Sequence, residues 1–349
     1  MTVTQPDEEA TISAEQPSSE IRRRRPRRQW SFVQRYGVIG VWALLIVVFG
    51  ALKPSEFLTT TNFETMFDSQ GTLLLLALGF IVPLIAGEID LSLAGSFTIE
   101  VVLIGRLDIV HHWGYAPVFL SIIGLGIVVG ILQGFLIVTL RLNSLIVTLG
   151  TGTAFLGIAL GIDTTPRSGV GAGYAQLFSG SFLGLELSFW LALAAVLIGW
   201  YVFRYTPLGR RMFFVGANPN VARLSGIRVQ RIKFSSLVVS SVVAALASIV
   251  AVGYLNGTDP TLGSDLLLPM LSSAFLGTTC FDVGRPSAWG TFVATYLLVT
   301  GYTGLEIIGL AGWIQDVFYG GALVIALAVS SLTVKGGAGN TIGLSVETQ

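Results

Sequence analysis

Residues 204–231 form a long polar interruption between two apolar segments, 187–203 and 234–254, that carry no charge. A charged side chain at the centre of a membrane helix costs about 2.5–3.5 kcal/mol on insertion scales, so this interruption must face water. Its charges share one sign, which predicts the cytoplasmic side of a membrane. We call residues 204–231 the basic segment and interpret it as a docking surface for a soluble cytoplasmic partner. It contains no acidic residue and six arginines: Arg204, Arg210, Arg211, Arg223, Arg228 and Arg231.

The composition excludes an ordinary soluble domain. Hydrophobic residues make up 52% of the 349 residues and charged residues 11%, whereas soluble domains carry about 25% charged residues. The single cysteine, Cys280, rules out an internal disulfide. His111 and His112 have no neighbours at a metal-ligand spacing. We predict neither a metal nor a cofactor on this chain, and no nucleic-acid partner.

The chain also lacks a nucleotide-binding motif. Its only lysines are Lys53, Lys233 and Lys335, and none stands in the GxxxxGKS or GxxxxGKT pattern of a phosphate-binding loop. If ATP drives this protein, another chain must bind the ATP and its magnesium. We therefore expect no enzymatic activity from this chain itself.

The apolar segments predict an all-α polytopic membrane protein with about ten transmembrane helices. The segment at 265–277 is too short to span a bilayer alone, which indicates a short or re-entrant helix. With both termini cytoplasmic, only Lys53, Arg106 and Arg167 of the 20 basic residues lie outside. The predicted spans are 36–52, 72–86, 97–105, 117–140, 141–162, 187–203, 232–254, 265–277, 288–304 and 313–332.

The same pattern divides the chain into three parts. Residues 1–35 are acidic and then basic, without an apolar face, and we predict a disordered cytoplasmic tail. Residues 36–332 form the transmembrane domain, and residues 333–349 form a second cytoplasmic tail. Within the fourth span, Gly126, Gly130 and Gly134 recur every four residues, which predicts close packing against another helix.

Four stretches together resemble the permease subunit of ribose-type sugar ABC importers, and the resemblance covers residues 40–332. The most specific of them is TPLGRRMFFVGANPNVARLSGI at 206–227. The others are GEIDLSLAGS at 87–96, SLIVTLGT at 144–151, and FLGTTCFDVGRPSAWGT at 275–291 with the segment 304–330.

The resemblance implies that the basic segment couples the membrane domain to a partner ATPase. Local chemistry supports a short surface helix there: Asn218 is a good N-cap, Pro219 suits the first helical position and Gly226 is a natural stop. Val221, Ala222 and Leu224 can present an apolar contact to the partner, and a positive loop without a partner is the plainer alternative. The predicted coupling residues are Leu208, Gly209, Arg210, Gly216, Asn218, Ala222, Arg223, Leu224, Ser225 and Gly226.

The turn at 87–96 follows a helix that Pro83 kinks, and broken helices of this kind line transport pathways. Asp90 is either a functional group in the membrane or a cap of the next helix, and both interpretations stay open. Glu88 and Glu100 depart from the family pattern; for Glu100 we favour a hydrogen bond within the bundle over contact with substrate. The predicted pathway residues are Gly87, Asp90, Ser92, Glu100, Asn143, Gly277 and Thr278.

These observations predict the membrane subunit of an ABC importer for a sugar or sugar-like polyol in the bacterial inner membrane. The expected partners are an ABC ATP-binding subunit, an extracytoplasmic sugar-binding protein, a second permease copy or paralogue, and the lipid bilayer. A proton- or sodium-coupled carrier that uses Glu88, Asp90 and Glu100 is the alternative from another class. An ABC permease for nucleosides or branched-chain amino acids is the alternative cargo.

Overall fold

The computed structural model describes residues 28–281, 284–310 and 312–336, with the side chains of 28–35 and 330–336 excepted. The architecture is all-α, as predicted. The helices of the first part of the chain are α1 (Arg28–Leu52), α2 (Pro54–Phe57), α3 (Thr60–Ser69), α4 (Gly71–Ile85), α5 (Leu93–Ile104), α6 (Tyr115–Gly134) and α7 (Ser144–Ile162). π-Helical segments extend α5 over Gly105–Val110 and α6 over Phe135–Thr139.

Short elements and further long helices follow. They are β1 (Arg167–Ser168), α8 (Ala172–Phe178), β2 (Ser181–Phe182), β3 (Leu185–Glu186), α9 (Leu187–Tyr205), α10 (Pro207–Ala217), α11 (Pro219–Leu224), α12 (Val229–Leu255), β4 (Gly257–Thr258), α13 (Leu262–Gly277), α14 (Ala288–Ile307) and α15 (Trp313–Gly336). β1 pairs antiparallel with β4, and β2 forms a hairpin with β3. The first pairing joins two loops that the charge pattern places on the same side of the membrane.

Within the described residues, five helices are long and apolar enough to cross a membrane: Thr60–Ile85, Tyr115–Thr139, Ser144–Ile162, Leu187–Tyr205 and Val229–Leu255. Shorter apolar helices lie at Tyr36–Leu52, Leu262–Gly277 and Trp313–Val329. The polytopic all-α class is therefore confirmed, and the count of about ten spans stays a prediction.

The first helix begins earlier than expected. α1 starts at Arg28, so residues 28–35 are helical and their assignment to a disordered tail was wrong. The reason lies in the sequence, where Trp30, Phe32 and Val33 already continue the apolar pattern before residue 36. The rest of the predicted N-terminal tail, 1–27, and the residues after 336 lie outside the described residues.

α12 is the central helix, largely buried and packed against α4, α5 and α6. The predicted glycine face of α6 is where α12 approaches most closely. A Cβ built on Gly126 would lie 2.9 Å from the Ala245 Cβ, and one built on Gly130 would lie 2.5 Å from the Val238 Cα. A methyl group at either position would push α12 away, which confirms the packing prediction for this face.

α13 has 16 residues and encloses Pro269. At 1.5 Å per residue it is about 24 Å long, less than the roughly 30 Å of a bilayer core. It begins three residues before the predicted 265–277 segment and ends at the same residue, Gly277. Its length agrees with the expectation of a helix that does not span the membrane by itself.

Candidate functional site

The middle of the basic segment folds into the two short helices α10 and α11, each with a side-chain N-cap, and its two ends belong to α9 and α12. The Thr206 hydroxyl accepts a hydrogen bond from the Gly209 amide at 3.2 Å. The Asn218 side chain accepts from the amides of Asn220 and Val221, both at 3.1 Å. Pro219 occupies the first turn of α11, where its missing N–H has no partner to lose. The predicted N-cap and proline positions are both confirmed.

α11 also ends where its sequence predicts. Gly226 has a φ of 79°, a left-handed conformation that glycine adopts without a steric penalty. The amide of Ile227 donates to the Ala222 carbonyl at 3.0 Å, and the amide of Gly226 donates to the Arg223 carbonyl at the same distance. These bonds satisfy carbonyls at the helix end that would otherwise lack partners.

The outer face of the basic segment is apolar as well as basic. Leu224 is 89% exposed, and Leu208 and Val221 are about half exposed. An exposed leucine at the tip of a short capped helix is suited to insertion into a pocket of another protein.

Ala222 does not belong to that outer face, so its prediction as a partner contact was wrong. It is fully buried and packs in a cluster with Ile85, Met212 and Val215. The physical reason is size: a methyl side chain lets α11 lie close to α10 and to the start of α12. Ala222 anchors the helix that presents Leu224.

Two of the predicted coupling glycines, Gly209 and Gly216, allow close contacts between helices of this chain. A Cβ on Gly209 would lie 2.4 Å from the Val202 carbonyl oxygen, and one on Gly216 would lie 2.1 Å from the Ile85 carbonyl oxygen. Neither separation is compatible with a side chain. These glycines allow α10 to lie directly on the ends of α9 and α4.

The turn between α4 and α5 packs against the inner side of the basic segment. Gly87 has a φ of 84°, and a Cβ built on it would lie 3.3 Å from the Gly216 Cα. The Pro83 carbonyl, at the end of α4, accepts hydrogen bonds from the amides of Ala86 and Glu88, both at 2.9 Å. The turn predicted to line the pathway is thus in backbone contact with the segment predicted to receive the partner.

Asp90 ties this turn to α12. Its carboxylate is fully buried and accepts hydrogen bonds from the Ser92 amide at 3.1 Å, the Ser92 hydroxyl at 2.5 Å and the Ser240 hydroxyl at 3.3 Å. The Ser92 contacts hold the backbone just before α5 and leave both interpretations of Asp90 open, because Ser92 is itself the N-cap residue of that helix. The Ser240 hydroxyl on α12 is a hydrogen-bond partner of Asp90 that the sequence alone did not predict.

Glu88 forms a second link between the turn and α12. The Lys233 ammonium donates to its carboxylate at 2.5 Å, and the two side chains are only 20% and 12% exposed. The additional acidic charge of this turn is therefore neutralised. A signal was present in the sequence, since Lys233 is a lysine beside a segment whose other basic residues are all arginines.

Thr148 joins the same turn to α7. Its hydroxyl accepts from the Leu91 amide at 3.0 Å and lies 3.4 Å from the Ile89 carbonyl oxygen. Thr148 was not among the predicted site residues, although it stands in the quoted 144–151 stretch. The turn is therefore held on two sides, by α7 and by α12.

Glu100 lies on α5 and is fully buried. Within the described part of the chain, neither of its carboxyl oxygens has a hydrogen-bond partner. The neighbouring Ser248 instead donates its hydroxyl hydrogen to the Ala245 carbonyl at 2.8 Å. The hydrogen bond expected for Glu100 within the bundle therefore stays a prediction, since the neighbouring Ser248 hydroxyl is bonded to a carbonyl of its own helix.

The remaining predicted pathway residues have local roles. Asn143 is exposed and caps α7, accepting from the amides of Leu145 and Ile146. Gly277 lies at the contact between α13 and α14, where a Cβ would approach the Thr291 amide nitrogen to 2.7 Å. The Thr278 hydroxyl donates to the Phe275 carbonyl at 2.7 Å. These residues shape turns at helix ends and are separate from the Gly87–Ser92 turn.

A cavity of about 1050 Å³ opens beside α10 and α11. Aromatic side chains and arginines from α9, α10 and the residues before α14 surround it. The Arg285 guanidinium lies over the Phe213 ring at 5.9 Å from its centre, which is a cation–π contact. Asn218 and Val221 of α11 form part of its wall, so the cavity adjoins the exposed face of the basic segment.

The loop between α7 and α9 covers the opposite end of α12. The Tyr174 hydroxyl donates to the Ile249 carbonyl at 2.6 Å, and the Gly171 amide donates to the Asp108 carboxylate at 2.6 Å. Hydrogen bonding from Arg167, and then from the Thr165 amide, lowers the pKa of Asp163 to about 2. Hydrogen bonds therefore attach this loop to α12 and to the end of α5.

The helices and the capped basic segment define a multi-pass membrane permease subunit. A sequence model of the family described as "Branched-chain amino acid transport system / permease component" matches residues 63–327. The chain belongs to this family. It is an inner-membrane subunit of an ABC transporter and not an enzyme, as predicted.

Individual relatives are similar over most of their length. The D-allose transport system permease protein AlsC of Escherichia coli K12 is 28% identical over 91% of this chain and 98% of its own. The ribose import permease protein RbsC of Bacillus subtilis is 30% identical over 83% of this chain and 90% of its own. The L-arabinose permease AraH of Azospirillum brasilense is 27% identical over 85% and 88%. No solved structure matches the chain significantly.

Proposed function

We propose that this chain carries a sugar or a sugar-like polyol into the cytoplasm by alternating access, driven by a separate ATP-binding subunit. The relatives named above are permeases for allose, ribose and arabinose, and their number and coverage support a sugar as cargo. One structural observation carries the mechanism. The basic segment, which offers an exposed leucine to a partner, is in backbone contact with the turn between α4 and α5.

The ATPase docks on α11 and its surroundings. Leu224 and Val221 supply the apolar contact, and Arg210 and Arg285 at the adjoining cavity supply charges for acidic groups on the partner. When the ATP-binding subunits close, α10 and α11 move as one unit, because Ala222 and Gly216 pack them together and against α4.

The movement passes to the bundle through short polar links. Gly87 rests on Gly216, Glu88 is paired with Lys233, and Asp90 is bonded to Ser240. A shift of α10 therefore acts on the end of α4, the start of α5 and the length of α12 together. A change in the tilt of these helices opens one side of the pathway and closes the other, which is the alternating access of membrane transporters.

The other partners follow from the same arrangement. A second permease copy or a paralogue completes the pathway, and both termini lie in the cytoplasm with about ten spans between them. An extracytoplasmic sugar-binding protein docks on the loop at 163–186. The β2–β3 hairpin of this loop offers an apolar contact through the exposed side chains of Phe182 and Leu183.

The test is co-purification with the candidate ATPase from membranes that express both proteins. Wild type is expected to retain the ATPase, and Leu224→Glu is expected to lose it while it stays in the membrane at normal abundance. Leu183→Glu is the matched control, because it places the same charge on a leucine that is also highly exposed, 78% against 89%, in a loop predicted to lie on the opposite side of the membrane. Retention of the ATPase by Leu224→Glu would refute the docking role of α11.

The alternative cargo is tested by uptake of labelled compounds into proteoliposomes that contain the assembled importer. Sugars and polyols are expected to be carried, and leucine and nucleosides are not. Uptake of leucine alone would assign the chain to the amino-acid branch that the family description names. Dependence on ATP rather than on a proton gradient separates the importer from a secondary carrier.

A further inference from the structure

Four arginines surround a second region of the basic face, away from the large aromatic cavity. Two concavities of about 520 Å³ and 340 Å³ share Arg141, Gln230 and Arg231 in their walls. Arg223 and Arg228 complete the larger one. All four arginine side chains are exposed. We call Arg141, Arg223, Arg228 and Arg231 the arginine patch.

The patch concentrates positive charge without compensation. No acidic side chain lines either concavity, and no salt bridge within the described part of the chain involves any of the four arginines. Like charges this close repel one another unless an anion lies between them. Guanidinium groups are well suited to phosphate, which they bind through paired hydrogen bonds.

The position of the patch indicates where that phosphate comes from. The smaller concavity is walled by Val138, Thr139 and Phe234, at the end of α6 and the start of α12. Just beyond them, the exposed side chains of Phe135 and Leu140 continue the apolar surface of α6. Arginines at the end of an exposed apolar helix lie at the depth of lipid headgroups.

We propose that the arginine patch binds the headgroup phosphate of an anionic phospholipid in the cytoplasmic leaflet. The acyl chains lie along α6, and the headgroup lies between Arg141 on one side and α11 with the first turn of α12 on the other. Such a lipid braces α11 through the exposed Arg223 while Leu224 stays free for the ATPase. The proposal rests on the orientation given under Proposed function, but lipid binding does not require the ATPase.

Arg141 provides a clean variant. Its φ of 60° lies in the left-handed region that favours glycine, so Arg141→Gly removes the guanidinium and suits the backbone. The test variant combines Arg141→Gly with Arg231→Gln. Arg211→Gln is the matched control, because Arg211 is an exposed arginine of the same segment that lines neither concavity.

The measurement is the binding of phosphatidylglycerol to the purified full-length chain in neutral detergent, followed by native mass spectrometry. Wild type and Arg211→Gln are expected to bind it equally, and the double variant about tenfold more weakly, as the loss of charge-assisted hydrogen bonds predicts. Phosphatidylcholine and inorganic phosphate, the comparison ligands, are expected to bind more weakly than phosphatidylglycerol to the wild type.

Equal phosphatidylglycerol binding by wild type and the double variant would overturn the proposal. Binding of phosphatidylcholine to the wild type as tightly as phosphatidylglycerol would also overturn it. Binding of inorganic phosphate as tightly as phosphatidylglycerol would overturn the lipid assignment and make the patch a site for a free anion. If the double variant instead loses the ATPase and keeps the lipid, the patch is a protein contact. Failure of ATPase docking alone, seen with Leu224→Glu, leaves this result unaffected.

Discussion

Gly216 and Ile85 touch through their backbones: a Cβ built on Gly216 would lie 2.1 Å from the Ile85 carbonyl oxygen. This contact joins α10 to the end of α4 without an intervening side chain. A rigid contact of this kind transmits a displacement of one helix directly to the other, because packed interiors deform little. In the proposed mechanism, this contact is one of the places where a force on the basic segment reaches the membrane bundle.

Gly216→Ala is therefore expected to impair coupling more than docking. The added methyl meets backbone that cannot rotate away, and overpacking of this kind costs about 1–3 kcal/mol. We expect a lower thermal unfolding temperature in detergent and strongly reduced uptake, with the ATPase still bound. Gly150→Ala is the control, because a Cβ there meets nothing within 4 Å. Uptake at the wild-type rate by Gly216→Ala would remove this contact from the mechanism.

The Glu88–Lys233 ion pair is tested by a double-mutant cycle. The pair is mostly buried but reaches solvent, so its coupling energy is expected between that of surface and fully buried pairs, at about 1 kcal/mol. Glu88→Gln and Lys233→Gln should each destabilise the chain, and the double variant should lose less than their sum. The measurement is thermal unfolding of the four proteins in one detergent. Simple additivity would show that the two side chains do not interact in solution.

The Asn218 cap is expected to matter for affinity rather than for the fold. Loss of an N-cap costs about 1 kcal/mol of helix stability. Because α11 has only six residues, few other interactions hold it in its helical conformation. Asn218→Ala should weaken ATPase binding several-fold, whereas Asn218→Asp and Asn218→Ser should retain it because both side chains can cap. Binding measured with the purified partners decides this, and equal affinity for the alanine and serine variants would show that the cap is dispensable.

Local chemistry made part of this site predictable. Asn218, Pro219 and Gly226 lie within nine residues, and their roles depend on neighbours along the chain. Ala222 was misassigned because the side of α11 that faces the bundle is set by the packing of α10 and α12. The α12 partners of Asp90 and Glu88, Ser240 and Lys233, lie 150 and 145 residues away along the chain, a separation at which local patterns carry no information about pairing.

The importer and the carrier can be distinguished by replacing Glu100 with a side chain that cannot take up or release a proton. A carrier that moves protons through Glu88, Asp90 and Glu100 requires a titratable group at each position, yet Glu88 is in an ion pair and Asp90 accepts three hydrogen bonds. Of these three acids, Glu100 is the one whose buried carboxyl oxygens have no hydrogen-bond partner among the described residues. An apolar side chain there removes an unsatisfied polar group, which typically recovers about 1–3 kcal/mol.

We therefore expect Glu100→Leu to unfold at a higher temperature than wild type and to keep ATP-driven uptake. Glu100→Gln preserves the shape but leaves buried polar atoms, so it serves as the matched comparison and should show no gain in stability. Uptake in proteoliposomes, with ATP and the partners supplied and with or without a proton uncoupler, gives the readout. Abolition of uptake by both variants, together with sensitivity to the uncoupler, would make Glu100 part of a proton path and would assign the chain to the carriers.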